Sequence, residues 1–284
     1  MNRVIIKLFG GDSDMGKLAT SVSISGGMIG FMLLTGIVMF LIPIGTYWGL
    51  KRHYKLVSTP VWVGIAVFIV AVMILERILH MIILQPSADG SIALATHHPY
   101  MYVAYGALVA GIFEETGRFF GFRYLKKRVS GFGTAIAYGI GHGGIEMILI
   151  GTMGMVNLVV MSVAINSRNA AVLSKLPSGT IHSLISHAGA ATTSSFFERI
   201  AAFIIQILLS IIVWASVNYV GKIWLYPLAI GLHALIDTPA AMFQAGIISN
   251  ELTVEIVLWI SVLAMGVFVY LYIGKLRKSR VTTS

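Results

Sequence analysis

An all-α, polytopic transmembrane bundle of seven or eight spans is the fold class this sequence predicts, and three observations carry it. Hydrophobic residues make up 57% of the chain and charged residues only 11%, with a mean hydropathy of +0.88, a balance outside the range of soluble globular domains. Apolar stretches of membrane-spanning length recur along the sequence. Basic residues gather in alternate connections, as a fixed membrane topology requires.

Seven stretches read as spans: 24–50, 60–84, 101–125, 132–154, 196–220, 223–248 and 254–274. The first is too long for the apolar part of a cleavable signal and has no clean cleavage site after it, so it is expected to stay as an anchor. Residues 1–22 before it read as an interfacial segment. The apolar run 155–165 is too short to cross a bilayer, and the chain after it is small and polar (Asn166, Ser167, Pro177, Ser178, Gly179, then 188–195). The region 155–195 is therefore expected to form a re-entrant or lid element. With no internal repeat, 1–284 reads as a single integral membrane domain whose polar core lies at about 101–248.

The chain has no cysteine, which excludes disulfides, thiolate nucleophiles and cysteine-ligated metal centres. Its net charge of +9 is a topology signal. With the tail Lys275, Arg277, Lys278 and Arg280 cytoplasmic, seven crossings put Lys51, Arg52, Lys55, Arg123, Lys126, Lys127, Arg128 and Lys222 on the same side. Only Arg3, Lys7, Lys17, Arg168 and Lys175 then lie outside. The reading is an integral protein of a bacterial plasma membrane, with its N-terminus outside and its C-terminus cytoplasmic. Its expected partners are the lipid bilayer and a membrane-associated peptide or protein substrate, with no nucleic acid. The sequence leaves its oligomeric state unknown.

The polar residues inside the spans carry the functional signal. The third span holds Glu114-Glu115-Thr116-Gly117-Arg118; each charge at the centre of a spanning helix costs roughly 2.5–3.5 kcal/mol, so the three load about 7–10 kcal/mol onto one helix. Spacings of three and four put both glutamates on the face of Arg118. The fourth span holds His142 and Glu146, and the sixth His233 and Asp237, again four apart. At about 1.5 Å per residue from Lys126, Arg128 and Lys222, the residues Glu115, His142 and His233 lie about 16, 21 and 16 Å into a core about 30 Å thick. One centre requires such a shared depth, whereas unrelated polar residues do not.

A carboxylate held in a low-dielectric pocket is suited to take a proton from water, and His142 is the natural second base or water ligand. Glu114 or Glu115 with His142, Glu146 and His233 also makes the ligand set of a hydrolytic zinc site. The preferred reading requires no cofactor, and zinc is the alternative.

The pattern Glu-Glu-x-x-Arg, then an aromatic separated from a histidine by three residues (Tyr138 and His142), then His-x-x-x-Asp resembles the three motifs of the superfamily of CAAX prenyl endopeptidases and bacteriocin-processing proteases. Glu-Glu-x-x-Arg with His-Gly-x-x-Glu is most similar to its YhfC branch of membrane peptidases, a sister of the PrsW proteases. The resemblance covers about 60–250 and implies a catalytic set of Glu114, Glu115, Arg118, His142, His233 and Asp237. It assigns water activation to Glu114 and His142, orientation to Glu115 and Arg118, and the oxyanion or a bound ion to His233 and Asp237. Two departures stand out: better-known members have three residues between Glu-Glu and Arg, and Asn where Asp237 stands. An ionised carboxylate donates no hydrogen bond, so the oxyanion role falls to His233.

Peptide hydrolysis by an intramembrane endopeptidase is therefore the expected function. The alternatives are a proton- or cation-coupled transporter using the same polar layer, and a non-catalytic scaffold fastened by it. Glu115 with Arg118 also reads as a buried ion pair, Glu76-Arg77 with His80 and Glu198-Arg199 as structural pairs, and His182 and His187 as loop or lid residues. Gly139, Gly141, Gly143 and Gly144 serve either close helix packing or room for a substrate backbone beside His142.

Overall fold

The computed structural model describes residues 23–87, 90–129, 131–169, 171 and 180–281, all in helices and their connections, with no strand among them. Side chains at 180–183 and 278–281 fall outside that description, as do the interfacial segment expected at 1–22 and residues 172–179 of the expected lid. Helix α1 is Gly26–Tyr54; α2 is Ser58–Phe68, continued by a π-helical stretch Ile69–Glu76 and by Arg77–Leu84. The short α3, Ala93–His97, precedes α4, Pro99–Lys126, which opens on proline where no helical N–H is needed. Helix α5 is Phe132–Glu146, a π-helical turn Met147–Thr152 and Met153–Asn166. Then come α6, Thr180–Asn218, and α7, Leu225–Gln244; α8 runs Glu251–Phe268, Val269–Ile273 and Gly274–Val281.

Each of the seven stretches read as a span lies on a helix, but the helices over 132–154 and 196–220 are longer, running on to Asn166 and starting back at Thr180. Five helices among the described residues are long and apolar enough to cross a membrane: Gly26–Tyr54, Ser58–Leu84, Phe132–Asn166, Leu184–Asn218 and Glu251–Arg277. The expected seven or eight are thus reached for five on length and composition. Helices α4 and α7 fall outside the five because they carry Glu114, Glu115, Arg118, His233 and Asp237.

The expected re-entrant or lid element at 155–195 is corrected on both of its flanks. Residues 153–166 continue α5, and 180–195 are the first turns of α6. The hydroxyl-rich stretch that reads as loop satisfies itself inside the helix, since Thr192 Oγ1 donates to Ala188 O at 2.7 Å and Thr193 Oγ1 to Gly189 O at 2.9 Å.

The described chain packs as two compact units, one drawn from Met1–Val38 and Gly151–Phe196, the other from Met39–Ile150 and Phe197–Ser284. In the first, Ile24, Met32, Ile165, Leu184 and Ala188 form a buried cluster. The Asn166 amide clamps the chain before α1, accepting from Ile24 N and donating to Ile24 O, both at 2.8 Å.

The second unit is built on two extensive helix pairings, α4 with α7 and α2 with α5. In the latter the backbones touch. A Cβ on Gly64 would stand 2.4 Å from Tyr138 O, and one on Gly141 2.1 Å from Val61 O. On its other side α5 meets α6 equally closely, at Gly139 against Ile207 Cα and at Gly143 against Gln206 Cβ. These glycines serve packing. The space a substrate backbone was expected to use beside them is filled by Val61, Ile207, Gln206 and, at Gly144, Pro43.

Candidate active site

The second unit brings polar side chains from four helices to one buried point. Glu114, Glu115 and Arg118 come from consecutive turns of α4, His142 and Glu146 from α5, Gln206 and Arg199 from α6, and His233 and Asp237 from α7. Glu115, Arg118 and His142 are completely buried, and Glu114 and His233 nearly so. The three motifs thus meet, as their common depth in the sequence required.

The two oxygens of Glu114 have different surroundings. Oε2 accepts from His142 Nε2 at 3.0 Å and from the Gln206 amide at 3.1 Å, with Arg118 Nη2 at 3.6 Å. Oε1 instead faces His233 Nε2 at 4.0 Å. Donors therefore load one oxygen, and the other keeps its lone pairs directed toward His233.

Glu115 orients that histidine. Its Oε1 accepts from His233 Nδ1–H at 2.7 Å and lies 3.1 Å from Arg118 Nη1. The second ring nitrogen, Nε2, is 3.3 Å from Asp237 Oδ2. Asp237 is the exception in burial, with 41% of its side chain exposed.

Gln206 is the residue that sequence reasoning missed. Its Oε1 accepts from Arg118 Nη2, while its Nε2 donates to Glu114 and, at 2.6 Å, to Glu146 Oε2. One amide joins three helices and uses both donors and its acceptor. The available signal was a lone amide inside the apolar run 200–209. Glu146 also accepts from Arg199 at 3.3 Å, and Arg199 pairs with its neighbour Glu198. The pair expected to be structural therefore borders the centre.

Five carboxylates (Glu114, Glu115, Glu146, Glu198 and Asp237) meet two guanidiniums here. Three of the carboxylates, Glu114, Glu115 and Glu146, are buried, and each lies against a guanidinium, an imidazole or the Gln206 amide, as a low-dielectric interior demands.

Other sequence candidates lie elsewhere. His80 Nε2 is 3.1 Å from Glu76 Oε1 and its Nδ1 3.0 Å from the Tyr105 hydroxyl, a clamp between α2 and α4 that matches the structural reading. His187 is exposed in the first unit. The side chain of His182 lies outside the described residues.

A family model described as YhfC intramembrane metalloprotease matches residues 38–258, a span that contains every residue of this centre. The chain belongs to this family. It is 35% identical over 235 residues to a protein of Bacillus subtilis (strain 168) named uncharacterized membrane protein YhfC, an alignment covering 80% of this chain and 89% of that protein. No solved structure matches. The YhfC family resemblance drawn from the motifs is therefore shown, and with it membership of a family described as intramembrane metalloproteases.

That description raises the question of a metal. The donor types are those of a hydrolytic zinc site, two imidazoles with carboxylates. Their arrangement in this YhfC family member does not fit one as it stands: among the described residues no three His, Asp or Glu side chains are placed to hold an ion together. His142 Nε2 is spent on Glu114, His233 Nδ1 on Glu115 and His233 Nε2 on Asp237. Glu146, in the expected ligand set, is turned to Gln206 and Arg199.

Proposed function

We propose that this chain is an intramembrane endopeptidase that hydrolyses peptide bonds of a membrane-associated substrate with Glu114 as the base. The observation that carries the reading is the 3.0 Å bond between Glu114 Oε2 and His142 Nε2, made across two helices and fully buried, with His233 facing the other carboxylate oxygen. Glu114 Oε1 takes a proton from the water that attacks the peptide carbonyl carbon. His142, Gln206 and Arg118 hold Oε2 and fix the carboxylate's direction. His233, locked by Glu115, presents Nε2–H toward the developing oxyanion. The C–N bond then breaks as the proton passes from Glu114 to the leaving amine. Until the oxyanion forms, Asp237 accepts from the same Nε2–H and holds the ring at the exposed side; the hydrogen bond then passes from Asp237 to the oxyanion.

The same reading sets all seven long helices across a bacterial plasma membrane, with the charged faces of α4 and α7 turned to the buried centre. Their 28 and 20 residues reach about 42 and 30 Å, enough for a core about 30 Å thick. The C-terminus and the basic helix ends lie in the cytoplasm.

Purified full-length chain in proteoliposomes, given a panel of single-span membrane reporters, is expected to cleave one or more of them. Glu114→Gln and His142→Ala are expected to lower that cleavage by about 10²–10⁴-fold in protein that still folds at the assay temperature, although its melting temperature falls. Product masses identify the bond cut. Full cleavage by folded Glu114→Gln removes the assignment.

Metal dependence is tested separately. With His142 Nε2 and both His233 nitrogens engaged by carboxylates, cleavage is expected to survive exhaustive treatment with a zinc chelator, and elemental analysis to find far less than one metal per chain. Stoichiometric zinc, with activity lost on chelation and regained on adding zinc, would replace the Glu114 water mechanism with a metal-centred one.

A further inference from the structure

The basic end of the second unit holds a site that the hydrolytic centre does not use. Helix α5 starts at Phe132 after Gly131, whose φ of +104° turns the chain into the helix, and no side chain caps its first turn. The N–H groups of a first turn carry partial positive charge and seek an acceptor. Thr134, two residues into the helix, is 4% exposed, and its hydroxyl has no hydrogen-bond partner.

Gly131, Phe132, Gly133 and Thr134 line a cavity of about 300 Å³ together with Lys55 and Arg277. No carboxylate lines it. The neighbouring sequence supplies none either: 51–56, 123–131 and 275–281 contain basic residues and no acidic one. This pocket accordingly has donors and positive charge on several sides, from three separate chain segments.

A second space adjoins it. A crevice of about 1010 Å³ shares Tyr54, Phe132 and Arg277 with the polar pocket and continues past Ile136, Ile207 and Ile273. At the shared wall the Arg277 guanidinium lies 3.7 Å over the Phe132 ring. A small basic chamber thus opens onto a large apolar channel. That pairing matches an amphiphile with an anionic head: the head meets the helix terminus, Lys55 and Arg277, and acyl chains fill the crevice.

We infer that this chain binds an anionic phospholipid, with the headgroup phosphate at the Gly131–Thr134 helix start between Lys55 and Arg277, and the acyl chains in the Ile136–Ile207–Ile273 crevice. Charge complementarity selects this occupant, because a zwitterionic head adds a cation to a chamber that has no carboxylate to receive it.

The test is native mass spectrometry of the detergent-purified full chain, titrated with phosphatidylglycerol, with phosphatidylcholine of the same acyl chains, or with inorganic phosphate. The expected result is a saturable phosphatidylglycerol adduct, at least about fivefold tighter than phosphatidylcholine, with no adduct from phosphate alone at the same concentration. Arg277→Ala and Lys55→Gln should each weaken it by about fivefold, the effect of one basic residue near an anionic head. Thr134→Val should weaken it without changing the melting temperature of lipid-free protein. Should Arg277→Ala fail to fold, Lys55→Gln, at an exposed helix end, carries the same comparison. Equal binding of the two lipids would show ordinary annular contact, and phosphate binding as tightly as phosphatidylglycerol would show a soluble-anion site. Either outcome, or an unchanged preference in the folded variants, overturns the inference. The readout needs no cleavage, so it stands apart from the peptidase assignment.

Discussion

Gln206→Leu is expected to destabilise the protein more than any other single replacement of an uncharged side chain. Leucine conserves the approximate volume at the α4–α5–α6 junction, yet it removes the acceptor of Arg118 Nη2 and the shared donor of Glu114 and Glu146. Three buried ionic groups then lose a partner at once. Breaking a buried polar network in this way costs about 3–5 kcal/mol, because each stranded group keeps its desolvation penalty without its hydrogen bond. A melting temperature lower by roughly 10 °C is expected in detergent. Cleavage should fall as well, since the Glu114 carboxylate loses one of the donors that set its direction. Gln206→Glu is expected to be as harmful, for it puts a third carboxylate between Glu114 and Glu146 and supplies no donor to either. A Gln206→Leu protein that melts with the wild type would show that the amide does not hold the centre together.

Gly141→Ala is expected to have a comparable effect by a purely steric route. The added methyl would stand 2.1 Å from Val61 O and 2.8 Å from Val61 C and Cα. Nothing flexible can yield, because the obstacle is backbone, so α2 must move away from α5. Overpacking of this kind costs about 1–3 kcal/mol and occasionally more; with backbone as the obstacle, the upper end is expected. His142 is the next residue, and a shift of α5 carries its ring off Glu114, so activity should drop further than stability. Gly154→Ala, farther along the same helix, is the control. A Cβ there meets nothing within 4 Å, and alanine should be neutral or gain about 0.5–1 kcal/mol. Equal melting temperatures for the two variants would contradict the close α2–α5 crossing.

Much of the site could be read in advance because membrane burial makes polar residues informative. Glu114, Glu115, Arg118, His142, His233 and Asp237 each stand in a helix otherwise apolar, at spacings of three or four that fix a common face. The similar distances of Glu115, His142 and His233 from basic helix ends, about 16–21 Å, placed them in one layer. Gln206 escaped this reading because it is uncharged and its helix carries no ionisable residue three or four positions away. Its partners lie 60 to 92 positions away in the chain, and only assembled helices reveal them. The flanks of the lid expected at 155–195 proved to belong to longer helices for a different reason. Small hydroxyl residues favour loops in water, but Thr192 and Thr193 return their hydroxyls to helix carbonyls, and the turns around them remain helical.

The amino-acid sequence by itself determined that this protein is an α-helical membrane protein, where its helices lie, and which ionisable side chains occupy their interiors. It could do so because insertion into lipid is decided segment by segment, through hydropathy and backbone satisfaction within each helix. Only the tertiary structure decided which oxygen of Glu114 is loaded with donors, that Glu115 rather than Asp237 holds His233 Nδ1, and that Gln206 ties three helices together. Those outcomes depend on distances of a few tenths of an ångström between side chains on different helices. They are set by where glycines let two backbones touch, and no local property of the chain encodes them.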